Sequence, residues 1–122
     1  MAARLKAHAP YSRFLVGAAV RDERGLVFGG CNIENAAYPQ GWCAEPSAIS
    51  ALIMAGGTRI TEMAVVGAGA GLVTPCGGCR QKIREFADGR VLIHVCGEDG
   101  RVKRRFTLDE LLPYSFGPEH LK

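Results

Sequence analysis

The chain has 122 residues, of which 48% are hydrophobic and 22% are charged, and its formal net charge is +3. This size suits one domain that spans residues 1–122, and this composition is typical of a globular protein. The small charge argues against a nucleic-acid partner. No apolar stretch reaches the roughly 18 residues of a membrane-spanning helix, which argues against a membrane partner.

A short lead and a hairpin open the chain. Residues 1–8 form the lead, which the pattern allows to be helical. Two apolar segments, 16–22 and 26–32, predict strands, and the turn at 23–25 joins them into a hairpin.

The first central helix is predicted at residues 44–55, after an irregular stretch at 33–42. Ile49 and Leu52 are three residues apart, which places them on one face of a helix. Proline is accepted only in the first turn of a helix, so Pro46 requires the helix to start within a residue or two of it.

The second half of the chain alternates strands and helices. The predicted elements, in chain order, are an apolar strand at 63–67, a helix at 76–86, an apolar strand at 91–96, a basic strand at 102–106 and a short helix capped by Thr107. Wholly apolar strands are typically covered on both faces. The pattern therefore predicts an α/β fold, a three-layer α/β/α sandwich with a mixed five-stranded sheet.

Five cysteines are present, and two of them form the Cys-x-x-Cys pair Cys76 and Cys79. The N-terminus shows no long apolar segment of the kind found in signal peptides. In such a chain this pair favours metal or redox chemistry over disulfides. We therefore expect a reducing, cytoplasmic location.

Three cysteines fall at the predicted starts of the two central helices. Cys43 precedes the first helix, and Cys76 and Cys79 begin the second. The positive end of a helix dipole favours deprotonated thiols, which are ligands of Zn²⁺. Three protein ligands leave a fourth position open for water, as in catalytic zinc sites. We therefore predict one zinc ion per chain, bound by these three residues.

Glu45, two residues after Cys43, is predicted to carry protons during catalysis. Alone, a Cys-x-x-Cys pair is often a structural zinc site or a redox pair. The combination found here, Cys-x-Glu followed by Pro-Cys-x-x-Cys, is typical of zinc-dependent nucleobase deaminases.

The sequence resembles the short, single-domain cytidine deaminases almost from end to end. The motifs that carry the resemblance are Ala9-Pro10-Tyr11-Ser12-Arg13-Phe14, Val16-Gly17-Ala18-Ala19, Gly30-Cys31-Asn32-Ile33-Glu34-Asn35-Ala36, Cys43-Ala44-Glu45, Pro75-Cys76-Gly77-Gly78-Cys79-Arg80-Gln81 and Leu111-Leu112-Pro113-Tyr114-Ser115-Phe116-Gly117-Pro118. The resemblance implies hydrolysis of cytidine and deoxycytidine to uridine and deoxyuridine with release of ammonia, in pyrimidine salvage.

The resemblance also implies roles for five substrate-binding residues. Asn32 and Glu34 match residues that hydrogen-bond the ribose, and Phe14 matches a residue that lines the nucleoside pocket. The backbone of Ala44 is expected to meet the base edge. The resemblance also implies a homotetramer. Phe116 matches an aromatic residue that packs on the pyrimidine bound by a neighbouring subunit of that tetramer.

One departure from the family pattern is Pro46, which stands where arginine usually follows the catalytic glutamate. We expect the two helix N-termini and Arg80 to offset part of the negative charge of three thiolates on zinc. Two alternatives stay open from the sequence. One is a related deaminase acting on an aminonucleoside antibiotic or on nucleic-acid bases, and the other is a non-catalytic zinc-binding module.

Overall fold

The computed structural model describes residues 2–121, which form five strands, three α-helices and three short 3₁₀ turns. The strands are β1 (Gly17–Asp22), β2 (Val27–Cys31), β3 (Ile60–Val66), β4 (Leu92–Cys96) and β5 (Val102–Thr107). The α-helices are α1 (Ala44–Met54), α2 (Gly77–Phe86) and α3 (Leu108–Leu111). The 3₁₀ turns are Arg4–Lys6, Tyr38–Gln40 and Pro118–His120.

The strands form one mixed sheet in the order β2-β1-β3-β4-β5. β1 is antiparallel to both β2 and β3, and β5 is antiparallel to β4. β3 and β4 are parallel, because α2 lies between them in the chain and provides the crossover that parallel strands need. The predicted α/β fold with a mixed five-stranded sheet is confirmed.

The hydrophobic core lies on the face of the sheet that α1 and α2 cover. Alternate strand residues point toward the helices, as the period of two in a strand requires. The fully buried side chains of this core include Val20, Met63, Val65, Ile93, Leu52 and Ile83. Both helices therefore pack against the same sheet face, and their N-termini can meet at one edge of this layer.

The opposite face of the sheet carries a much thinner layer. The 3₁₀ turn Arg4–Lys6 packs against β1 and β2 there, where the sequence allowed a helical lead over residues 1–8. The guanidinium of Arg4 fixes this turn by donating to the carbonyl oxygen of Leu15 at 3.1 Å. The two sides of the predicted sandwich are thus unequal, and the site described below is built on the side of α1 and α2.

The strands β3 and β5 can be compared with the sequence analysis. β3 begins at Ile60, three residues before the predicted start. The prediction missed residues 60–62 because buried Ile60 is followed by exposed Thr61, so this stretch is not continuously apolar. The predicted basic strand is the edge strand β5, whose residues 102–105 are exposed, and its positive charges discourage pairing with another edge. No helix within residues 2–121 is long and apolar enough to cross a membrane.

Candidate metal centre and active site

The helix starts place three thiols together. Cys43 is the N-cap of α1 and Cys76 the N-cap of α2, both with extended backbone angles, and neither side chain makes a capping hydrogen bond. Cys79 follows in the first turn of α2 and is fully buried. The Sγ atoms of Cys43 and Cys76 are 3.9 Å apart, and all three sulfurs lie within 4.8 Å of one another.

These distances fit a tetrahedral zinc ion. With Zn–S bonds of about 2.3 Å, tetrahedral geometry places two thiolate sulfurs roughly 3.8 Å apart. The 3.9 Å separation of Cys43 and Cys76 Sγ matches that value. A set of three sulfur donors also suits zinc better than magnesium or calcium, which prefer oxygen ligands.

Electrostatics within the cluster distinguish the three thiols. Burial raises the pKa of Cys43 and of Cys79, and the negative charge of Glu45 raises both further. Burial also tends to raise the pKa of Cys76. Its pKa is nevertheless lowered overall, because it accepts hydrogen bonds from the backbone N–H and thiol of Cys79 and from the thiol of Cys43. Three thiolates this close to one another would repel, which keeps two of the thiols protonated, and a divalent cation between them relieves that repulsion.

Glu45 occupies the first turn of α1 beside the three sulfurs. Its side chain is buried, with 4% of the residue exposed. Burial raises the pKa of its carboxyl group, while a backbone hydrogen bond and the positive charge of Lys82 act in the opposite direction. Lys82 lies on α2, and its ammonium is 4.5 Å from the centre of the Trp42 ring, within cation–π range. A carboxyl group in this setting can exchange a proton with a bound molecule.

A cavity of about 560 Å³ opens beside Cys43. Its volume lies within the range of small-molecule sites. Its walls come from the turn before β1, the end of β2 and the irregular stretch before α1, and consist of Tyr11, Ser12, Asn32, Ile33, Glu34, Asn35, Tyr38, Gly41, Trp42 and Cys43.

Asn32 and Glu34 line this cavity, and each also holds the segment that precedes β1. The Asn32 side chain accepts from the Val16 N–H at 3.0 Å and donates to the Phe14 carbonyl at 2.9 Å. Glu34 accepts from the backbone N–H groups of Tyr11 and Ser12 at 2.9 and 3.1 Å, and also from the Ser12 hydroxyl.

These bonds have an electrostatic and a structural consequence. The Ser12 hydroxyl, followed by the two backbone N–H groups, lowers the pKa of Glu34, so its carboxylate stays ionised in the cavity wall. The pair Asn32 and Glu34 thus shapes residues 11–16, a structural role that the sequence analysis missed.

The other predicted substrate residues lie outside this cavity wall. Phe14 is 40% exposed, and Phe116, on the C-terminal segment, is 54% exposed. Ala44 is fully buried at the first position of α1, where its N–H is not used by the helix itself. Within one chain, therefore, the structure brings only Asn32 and Glu34 of the five predicted substrate residues to the cavity next to the thiols.

The guanidinium of Arg80, which we expected to offset part of the thiolate charge, hydrogen-bonds to other groups and not to the sulfurs. It donates to the carbonyl oxygens of Pro75 and Leu111, both at 2.7 Å, and to the Thr74 hydroxyl at 2.9 Å. All three guanidinium nitrogens are thereby used to tie the loop before Cys76 to the end of α3. The direction of an arginine side chain depends on such distant carbonyls, which its position in sequence does not reveal.

Three aromatic residues of the cavity wall were also missed. Tyr11 and Tyr38 contact each other edge to face, with ring centres 6.0 Å apart, and Trp42 immediately precedes Cys43. One feature of the sequence could have indicated these residues. Aromatic residues are concentrated in an irregular stretch beside the metal-ligand motif, where a binding-site wall is more common than a hydrophobic core.

Comparison with known proteins shows that the chain is similar to cytidine deaminases. The model of the family described as "Cytidine and deoxycytidylate deaminase zinc-binding region" matches residues 1–95. A cytidine deaminase of Sporosarcina psychrophila is 41% identical over 119 residues, which are 98% of this chain and 87% of that protein. One from Mycobacterium tuberculosis is 41% identical over 115 residues, covering 94% of this chain and 82% of that protein.

Solved structures agree with the sequence relatives. The crystal structure of a cytidine deaminase from Burkholderia pseudomallei superimposes with a TM-score of 0.87 and 42% identity, covering 94% of this chain and 91% of that one. A cytidine deaminase from Bacillus anthracis, at 18% identity and a TM-score of 0.68, shares the fold.

Proposed function

The chain belongs to the cytidine and deoxycytidylate deaminase family, and from this premise we propose that it hydrolyses cytidine and deoxycytidine to uridine and deoxyuridine, with release of ammonia. One observation carries the proposal: three cysteine sulfurs meet beside the buried carboxyl group of Glu45, at the wall of a cavity of about 560 Å³. Zinc is the cofactor of this family, and we assign it to Cys43, Cys76 and Cys79.

Glu45 is the proton carrier in the proposed mechanism. Zinc, when bound, supplies the Lewis acidity that activates a water molecule at neutral pH. Glu45 takes a proton from the attacking water and delivers it to N3 of cytosine as the water oxygen bonds to C4. It then passes the remaining hydroxyl proton to the amino group, the C4–N bond breaks, and ammonia leaves with the carbonyl of uridine in place. The pKa of Glu45, raised by burial, suits a group that must both accept and return a proton.

The cavity favours a nucleoside over a nucleotide. Its only charged lining residue among those described is Glu34, an ionised carboxylate. A carboxylate accepts hydrogen bonds from sugar hydroxyls and repels a phosphate, so cytidine and deoxycytidine fit while 3′-phosphorylated forms and oligonucleotides do not. We assign the ribose contacts to Glu34 and Asn32, whose amide keeps unused hydrogen-bonding capacity.

We further propose that the active unit is a homotetramer. Phe14 and Phe116 are exposed in the single chain, as are Tyr11, Tyr38 and Trp42 around the cavity. Clustered exposed aromatics of this kind are typical of protein interfaces. In the tetramer, Phe14 lines the nucleoside pocket, Phe116 packs on the base held by a neighbouring copy, and the Ala44 backbone meets the base edge.

Five free cysteines suit a reducing compartment, so we place the protein in the cytoplasm.

A substrate panel tests this function. The zinc-loaded protein is incubated with cytidine, deoxycytidine, cytosine, cytidine 3′-phosphate, cytidine 5′-phosphate and adenosine, and ammonia release is measured. We expect turnover of the first two only. Glu45→Gln, which keeps the size of the side chain but cannot carry the proton, should retain zinc and lose about 10²-fold or more in kcat. Preference for a phosphorylated substrate or for single-stranded DNA, or an active Glu45→Gln variant, contradicts the proposal.

A further inference from the structure

The C-terminal segment is fastened to α2 on both sides of Phe116. Gln81 donates its amide N–H to the Phe116 carbonyl at 2.8 Å. Arg84 donates to the Ser115 hydroxyl at 2.9 Å and pairs with Glu119. The backbone that carries Phe116 is therefore held on the same helix that presents Cys79 to the metal centre.

These bonds fix the main chain near Phe116 but not its ring. Phe116 is 54% exposed, and an exposed aromatic side chain on a fixed backbone still has several rotamers available. The imidazole of His120 stacks on it, with ring centres 5.1 Å apart and planes inclined by 18°. Parallel stacking of this kind restrains the orientation of the phenyl ring.

His120 is itself held in place. Its Nδ1 accepts the Gly117 N–H at 2.9 Å, which closes the 3₁₀ turn Pro118–His120. Gly117 in turn lies under the guanidinium of Arg84, since a Cβ at that position would be only 2.4 Å from Arg84 Cζ. The imidazole thus stands on a braced turn, and its position relative to Phe116 is set by contacts independent of Phe116.

We propose that His120 is a positioning residue for substrate binding, which holds the Phe116 ring in the orientation that packs on the pyrimidine held by a second copy of this chain. This inference rests on the role of Phe116 in the proposed function. His120 does not touch the reacting atoms. Its contribution is to reduce the number of rotamers that Phe116 must lose when substrate binds.

The experiment separates the stacking ring from the hydrogen bond with matched variants. His120→Phe keeps an aromatic ring and loses the acceptor, His120→Asn keeps an acceptor and loses the ring, and His120→Ala loses both. Steady-state kinetics with cytidine give KM and kcat, and calorimetry in a Glu45→Gln background gives the dissociation constant. Melting temperatures report the structural cost of each change.

We expect His120→Ala and His120→Asn to raise KM and the dissociation constant by about 3- to 10-fold with little change in kcat, and His120→Phe to restore both constants. In a Phe116→Ala background the His120 variants should have no further effect, because the ring that they orient is gone.

Other outcomes overturn the inference in distinguishable ways. If affinity follows the hydrogen bond, so that His120→Asn behaves as the wild type and His120→Phe is defective, then His120 only closes the turn. If Phe116→Ala weakens binding but no His120 variant does, the positioning role is wrong while the role of Phe116 stands. If Phe116→Ala leaves binding unchanged, the assigned role of Phe116 fails, and the positioning role with it.

Discussion

Replacing Gly30 by alanine tests whether the closeness of β2 to α1 sets the geometry of the catalytic centre. A Cβ at Gly30 would lie 2.4 Å from the backbone nitrogen of Ala48 and 2.6 Å from the carbonyl oxygen of Ala44. Both contacts are with the backbone of α1, so no side-chain rotation relieves them. To reach an ordinary contact of 3.4 Å, α1 must move away from the sheet by about 1 Å.

Two effects of known size follow from that shift. Overpacking of a core typically costs about 1–3 kcal/mol of unfolding free energy. For a chain of this length that lowers the melting temperature by about 4–12 °C. Because α1 carries Glu45 and follows Cys43 directly, a displacement of about 1 Å should also lower kcat by up to about 100-fold.

Gly29 provides the matched control. It is the neighbouring strand residue on the other face of the sheet, where a Cβ would meet the Ala3 Cβ at an ordinary 3.5 Å. Gly29→Ala should therefore melt within about 2 °C of the wild type and keep its activity. Thermal unfolding and cytidine turnover are measured on both variants. A Gly30→Ala protein that melts and turns over like Gly29→Ala would refute the reasoning, since α1 would then tolerate the extra atom without moving.

Two further predictions concern the metal and the dependence of stability on pH. Cys76→Ala should lose most of its zinc and become less stable, whereas Cys31→Ala, which lies on β2 away from the sulfur cluster, should keep one zinc per chain by atomic emission. The backbone N–H of Thr58, followed by further hydrogen bonds, lowers the pKa of Glu23 from 4.5 to about 2. A lowered pKa in the folded state means that this stabilisation is present above pH 4.5 and is lost as the pH falls toward 2. Urea midpoints should therefore decline less steeply over that interval in Glu23→Gln than in the wild type.

Each of these two predictions has a clear opposing result. Full zinc content in Cys76→Ala would remove that residue from the metal site, and zinc loss in Cys31→Ala would show that the effect is not specific to the cluster. If the urea midpoints of Glu23→Gln and the wild type fall equally steeply between pH 4.5 and 2, the bonds to Thr58 do not stabilise the folded state.

The sequence determined the elements and the cluster of three cysteines, because both follow from local rules. Prolines and apolar periodicity located the starts of α1 and α2, and a cysteine at a helix start is directed by the first turn of that helix. Once Cys43 and Cys76 were placed at N-caps, only the packing of two helices on one face was needed to bring the sulfurs together.

Tertiary structure decided the walls of the cavity and the partners of its polar groups. Asn32 and Glu34 were singled out from sequence, but their bonds to the segment before β1 join residues 16 to 23 positions apart. Arg80 hydrogen-bonds to the carbonyl oxygens of Pro75 and Leu111, the latter 31 residues away, and not to the thiols. A side chain with several donors or acceptors takes whichever partners the fold brings near it, and local sequence does not specify that choice.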